Sequence, residues 1–416
     1  MPESSTAGDP VSDGISEGKG KRGYIIGVVS TSHFLNHVQM SVNAVLLPVM
    51  MREIGFDFFQ LGMIASLHQF SGSAMQAVYG LLVQYHRRSV LLGVANIVLG
   101  AFAAAMGFTQ TFVQVLAARM FAGLGSSAQN PLGAAMLATY FRKAKGQVLG
   151  IHQTAGNIGS VVAPLVIVAL LGFLDWRQIW VLLAIPTVLM GCAYLFMGDV
   201  ATGMGISRKR GFRAALSSYA VCLKSREVLV IASIQMAGAA GRGSGINMTY
   251  FVPFFQTWLG VDIAVAGVLL AVQQAGSVAG PIAFGYLSDR TSRRWALFAV
   301  LFLSTLSTIT LLLHSQVTAA LVFNLLVYGA VVNSREALTM SMVSDAVPEA
   351  HCDAAFSIYY FMGFISGPVW TAIMGYLVDS RGFGVAFSVV SVTYLAGMVS
   401  LALLGRSRKA AGTRAT

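Results

Sequence analysis

Three side chains able to exchange protons or donate hydrogen bonds, His33, Asn36 and His37, recur at spacings of three and four within one apolar run. On a helix this spacing puts them on a single face. Further ionisable groups interrupt other apolar runs: Arg119, Arg242 and the adjacent Arg335 and Glu336. A charge inside a membrane is costly, so each of these groups calls for a reason. Guanidinium offers a planar fork of donors that fits a carboxylate or a phosphate. Imidazole, with an ordinary pKa near about 6.5, gains and loses a proton at physiological pH. Arg242 lies in Gly238-Ala239-Ala240-Gly241-Arg242-Gly243-Ser244-Gly245, where glycines leave space beside it and its own run carries no carboxylate. The chemistry implied is recognition of an anion, with His33, His37, His152 or Glu336 as carriers of any coupled proton.

Other polar groups fall in the same kind of setting: His68 with Gln69, Gln273 with Gln274, Gln129 with Asn130, His152 with Gln153 and Asn157, Asn333, and Tyr359 with Tyr360. Such groups line a cavity or bond between helices. The candidate substrate contacts are therefore Arg242, His37, His33, Asn36, Arg119, Gln69, Gln274, His152, Gln153, Asn333, Tyr359 and Tyr360. Two alternatives stay open. Arg119 either contacts substrate or holds one helix to another through backbone carbonyls or Asn36, and Arg242 either contacts substrate or pairs with Glu336. Of the 16 Asp and Glu residues, only Glu336 lies within an apolar run. That scarcity disfavours a cation carried in exchange for protons on a buried carboxylate.

Several function classes drop out. The histidines at 33 and 37 lack nearby carboxylates or cysteines, so no metal is expected. Cys192, Cys222 and Cys352 have no metal or redox spacing. There is no Gly-x-x-x-x-Gly-Lys-Ser/Thr loop for a nucleotide, and no nucleophile–base set stands out, so neither an enzyme nor a cofactor is expected.

The elements that must hold these residues follow from composition. Hydrophobic residues make up 56% of the 416 and charged residues only 10%, with a mean hydropathy of +0.71. Soluble domains carry about 25% charged residues. Apolar windows long enough to cross a bilayer fall at 24–51, 58–82, 89–109, 112–139, 147–173, 178–198, 228–258, 263–287, 295–313, 317–341, 352–378 and 383–405. These twelve spans predict an all-α membrane protein of two six-helix bundles, 24–198 and 228–405. A disordered tail (1–23), a basic linker (199–227) and a short tail (406–416) complete the chain. The net charge of +11 is concentrated rather than spread. With both termini on one side, 21 of the 27 Lys and Arg residues share that side, which the positive-inside rule assigns to the cytoplasm. The charge thus sets topology in the inner or plasma membrane, and no nucleic-acid partner is expected. The expected partners are lipid, a small anionic molecule and protons, with the chain acting as a monomer.

The halves repeat each other. Gly285-Tyr286-Leu287-Ser288-Asp289-Arg290-Thr291-Ser292-Arg293-Arg294 has an eroded copy in Gly80-Leu81-Leu82-Val83-Gln84-Tyr85-His86-Arg87-Arg88. At an offset of 205, Gly62 pairs with Gly267, Gln69 with Gln274 and His37 with Arg242. At 204, Gly125 pairs with Gly329 and Ala163-Pro164 with Gly367-Pro368. So regular an offset marks an internal duplication, the usual build of secondary transporters.

The Asp289-Arg290 turn with Arg293-Arg294, the string Leu116-Ala117-Ala118-Arg119-Met120-Phe121-Ala122-Gly123-Leu124-Gly125, and Gly172-Phe173-Leu174-Asp175-Trp176-Arg177 together resemble the signatures of the major facilitator superfamily, over the whole chain apart from its tails. Ser32-His33-Phe34-Leu35-Asn36, Gln60-Leu61-Gly62-Met63-Ile64 and Gly125-Ser126-Ser127 resemble its fosmidomycin-resistance efflux branch. That branch carries an aspartate after the asparagine where this chain has His37. The resemblance implies secondary active transport by alternating access. It also implies a gate built from Gly80, Arg88, Gly285, Asp289, Arg290, Arg293 and Arg294, with Asp289 accepting hydrogen bonds at the N-terminus of span 11 and the glycines allowing close packing. Transport of an organic anion is the expectation. Proton-driven drug or metabolite efflux is the alternative, and a transporter-derived receptor the third reading.

Overall fold

The computed structural model describes residues 15–83, 85–141, 145–197, 219–238, 246–348 and 351–403. Helix is the only regular structure among them. A bilayer core offers backbone groups no water, so each span must satisfy its own N–H and C=O groups. In the first half the helices are α1 (Ile15–Ile54), α2 (Phe58–Leu82), α3 (Arg88–Met106), α4 (Phe112–Ser126), α5 (Ala134–Tyr140), α6 (Lys145–Leu171) and α7 (Trp176–Phe196). The second half has α8 (Arg226–Gly238), α9 (Met248–Trp258), α10 (Ile263–Arg290), α11 (Arg293–Leu311), α12 (Ala319–Asp345) and α13 (Cys352–Leu403).

These helices fit the expected spans with local differences. α1 starts at Ile15, well before 24, so helix extends into the segment expected to be a tail. The fourth span is broken by a π-turn over Gln129–Gly133, where Pro131 has no N–H to give to a regular ladder. Residues 239–245, with Arg242, lie outside the described residues between α8 and α9. The last two spans run together as α13 and are separated by Gly382, whose φ of 79° is open to glycine without strain.

The short turns on the arginine-poor side share a device. Asp57, Thr111, Asp175, Asp262 and Thr318 each accept a hydrogen bond from the backbone N–H three residues on. Asp57, Thr111 and Asp175 also donate their own backbone N–H to the side-chain Oε1 of Gln60, Gln114 and Gln178. Five helices thus start at this neutral face with satisfied amides.

Small residues bring the helices together within each half. A side chain at Gly123 would collide with the backbone of His68, and one at Gly329 with the backbone of Gln273. His68 and Gln273 are 205 positions apart, so equivalent positions of α2 and α10 each receive a glycine from α4 and α12, although Gly123 and Gly329 are themselves 206 apart. The halves meet chiefly along three helix pairs, α2 with α13, α6 with α10, and α1 with α9, and α2 also touches α9.

Candidate functional site

The helix pairs between the halves enclose a small cavity lined by Met40, Asn43 and Leu47 of α1, Ala65, His68 and Gln69 of α2, Arg119 of α4, and Met248 and Thr249 of α9. Its free volume of about 30 Å³ holds one or two waters. Arg119 is 2% exposed. Among the described residues its Nη1 has no hydrogen-bond partner, and its guanidinium lies 5.8 Å from the centre of the Trp180 ring. Neither the backbone carbonyls of α1 nor Asn36 engages it. Asn36 instead donates to Ser126 O at 2.9 Å and ties α1 to α4 without Arg119. His68 is buried beside it, with Nδ1 2.9 Å from Arg119 O. Gln69 reaches across to the other half, where its Nε2 is 3.4 Å from Thr371 Oγ1.

The α1 residues expected on a single face part company. Residues 36 and 37 are about 100° apart around a helix. Asn36 therefore turns to α4, while His33 and His37 turn to α6. There His37 Nδ1 lies 2.8 Å from Ser160 Oγ. The ring centres of His33 and His37 are 4.6 Å apart, and those of His33 and His152 3.9 Å apart. This histidine group lies apart from the lining of the cavity.

The remaining candidates scatter. Gln274 is buried, with Nε2 3.8 Å from Met248 Sδ. Asn333 donates to Gly329 O in its own helix. Tyr359 Oη is 2.6 Å from Thr339 Oγ1, and Tyr360 Oη is 3.1 Å from Met340 Sδ. Gln153 is exposed and Glu336 half-buried. Gln129, on the π-turn, joins Ser32, Asn96, Val29 and Tyr194 in a buried network that binds four helices of the first half.

The charged turn differs from its expected form. Asp289 is exposed and lines a cleft with Arg293, Arg294, Glu227 and Asp345. Arg293 pairs with Asp345 and Arg294 with Glu227, all within the second half. Arg290 stacks on Tyr286, and Arg88 donates to Thr139 Oγ1 at 3.3 Å. Gly285 has open space where a side chain would stand, so the close packing expected there is not present in this arrangement. Gly80 lies in α2, and its eroded-turn neighbour Gln84 falls outside the described residues.

The bonds between halves cluster towards the neutral face. Asp379, near the end of the first part of α13, accepts from Phe58 N at 3.2 Å and Phe59 N at 2.6 Å. Its carboxylate thus sits on the first two amides of α2, where the helix dipole favours negative charge. Tyr250 Oη donates to Thr371 O at 2.9 Å and lies 3.3 Å from Phe58 O. Ser66 Oγ donates to Pro368 O at 2.6 Å.

A family model described as Major Facilitator Superfamily matches residues 29–262 and 238–416. The chain belongs to this superfamily. It is an integral membrane transporter with the twelve-helix, two-bundle facilitator fold, and the family is one of transporters rather than enzymes. Among relatives of this facilitator, the probable L-galactonate transporter of Escherichia coli is 22% identical over 89% of this chain and 86% of its own length. The fosmidomycin resistance protein of Escherichia coli is 21% identical over 91% and 92%. A crystal structure of the nucleoside transporter NupG superposes with a TM-score of 0.76 at 12% identity, over 92% of this chain and 100% of that one.

Sequence reasoning missed Asn43, Thr249 and Asp379. Asn43 continues the face of Asn36 and Met40 at helical spacing, a signal that was available. Asp379 falls just past the 352–378 window, and nothing local links it to residue 58, more than three hundred positions away.

Proposed function

We propose that this facilitator moves a small organic anion, of carboxylate or phosphonate type, by alternating access with proton coupling or exchange. The observation that carries the proposal is Arg119: a guanidinium inside the membrane, between the halves, with no carboxylate among its described contacts. An unpaired buried charge is strongly destabilising, and an anionic substrate supplies the missing partner. His68, Gln69, Asn43 and Thr249 then offer neutral hydrogen-bond groups around it. The name of the galactonate relative, a carboxylate transporter, supports this class. In the present arrangement the cavity is too small for an organic acid, so the bundles must part to admit one. On this reading the arginine-rich face and both termini are cytoplasmic, in the inner or plasma membrane. The segments 24–198 and 228–405 rock as two bodies about the 199–227 linker, within a monomer, and Arg242 adds a second cation to the site.

Efflux of a drug or metabolite is the second reading, favoured by the name of the fosmidomycin relative. Uptake and counterflow of labelled L-galactonate in proteoliposomes, beside resistance profiling with fosmidomycin, separate the two. Losing a hydrogen bond to a charged group costs about 1.5–3 kcal/mol, so Arg119→Gln is expected to lower transport roughly 10- to 150-fold, with partial recovery in Arg119→Lys. Wild-type rates in Arg119→Gln overturn the anion-binding role of this residue.

A further inference from the structure

His33 and His152 are 1% and 2% exposed. Among the described residues, neither ring nitrogen of either side chain has a hydrogen-bond partner. Leaving a buried polar atom unsatisfied costs about 1–3 kcal/mol, and four such atoms in one place are hard to explain as packing. His37 completes the group and is itself held by Ser160. Space for the rings is made on α6, where a side chain at Gly156 would collide with the His33 ring and come within 2.9 Å of His37 Cδ2.

We propose that His33, His37 and His152 form a single proton-binding site, and that its one proton is the ion coupled to substrate movement. This rests on the transport reading above. His33 meets His37 face to face and His152 edge to face, so one added proton is shared once a flanking ring rotates to bring a nitrogen lone pair, which lies in the ring plane, towards it. A second proton is opposed by like charge at the same distance. Among the described residues, adjacent elements bring no rival charge to this layer. α5 and α9 carry no Asp, Glu, Lys or Arg; α7 has only Arg177, at its neutral end; α6 has only Lys145, at its basic end; α10 has only Asp289 and Arg290, also at the basic end. The charges of α1 itself are confined to Glu17, Lys19, Lys21 and Arg22 at one end and Arg52 and Glu53 at the other. Tyr194 of α7 is engaged by Gln129; Tyr140 of α5, Tyr24 of α1, Cys192 of α7 and Tyr286 of α10 are further titratable side chains of these elements towards the basic end. Arg119 stands farther along α1, beside Met40 to Leu47, and Arg242 lies outside the described residues. The site is therefore distinct from the anion cavity, as coupling by a shared conformational change requires.

The test uses the full chain in lipid. Histidine-selective 15N NMR should show these three rings taking up one proton in a single step as the pH falls, with no second proton following at once, and the step should vanish in His33→Gln and in His152→Gln, which alter different helices. Rings that all stay neutral to about pH 5 overturn the proposal. In proteoliposomes with labelled L-galactonate, the same variants should lower accumulation driven by a pH gradient at least ten-fold, with a far smaller fall in galactonate exchange at equal pH. Accumulation at wild-type level in both variants overturns the coupling role. A wild type that neither accumulates nor exchanges galactonate counts against the transport reading for this probe, while the NMR titration still judges the proton site.

Discussion

Two of the seams that join the halves are built from opposite materials. Along α2 and α13 the contact is polar: Asp379 caps the start of α2, Tyr250 bridges Phe58 and Thr371, Ser66 reaches Pro368, and Gln69 reaches Thr371. Along α6 and α10 no hydrogen bond crosses among the described residues, and Gly267 packs on Val168 and Pro164. The repeat makes the contrast sharper, since Gly62 and Gly267 are equivalent positions and each lies at one seam. Gly62 abuts fixed atoms, Tyr250 Oη and Thr371 O, whereas Gly267 abuts a valine side chain. A polar seam is directional and breaks at a definite separation, while an apolar one slides. The first has the character of a latch and the second of a bearing, so opening at the neutral face should be controlled at the α2–α13 seam.

The largest effect is expected from bulk at the latch. Gly62→Leu should abolish closure at the neutral face, because overpacking costs about 1–3 kcal/mol against a two-state balance that such energies move roughly 5- to 150-fold. Spin-label distances between the neutral ends of α2 and α13 report it. Gly267→Leu should shift the same distances much less, and equal shifts would erase the contrast between the seams. Next comes Asp379→Asn. It keeps the shape but removes the charge that two amides share, and should raise the population open at the neutral face about ten-fold, given about 1.5 kcal/mol for a bond to a charged group. Thiol labelling of a cysteine introduced at Ser66 in an otherwise thiol-free chain measures it. The smallest effect belongs to the bearing. Val168→Ala should cost about 1 kcal/mol or less in thermal stability and leave the spin-label distances unchanged.

Much of the fold was legible in the sequence, and the reason is physical. Length and apolar composition decide which segments span. The offset of 205 was read as aligning two binding residues, His37 and Arg242. The described part of the repeat aligns packing, Gly62 with Gly267 at two seams and His68 with Gln273 at the helix pairs within each half, while Arg242 lies outside the described residues. The site was only partly legible. Asn36 and His37 are one residue apart, yet one turns to α4 and the other to α6, and helical spacing alone could not say where the boundary fell. Gln153, beside buried His152, is exposed. Polar type reveals that a residue in a membrane span needs a partner, not which partner it finds.

The sequence by itself determined the membrane class, the twelve spans, the duplication and the unusual store of cations over carboxylates, because each is set by local composition or by spacing along the chain. Only the tertiary structure decided that Arg119 stands unpaired at a cavity, that His33, His37 and His152 meet, and that Asp379 caps a helix in the other half. Those are contacts between residues tens to hundreds of positions apart. They depend on which faces of rigid helices are turned towards each other, and that choice is made by packing over the whole molecule.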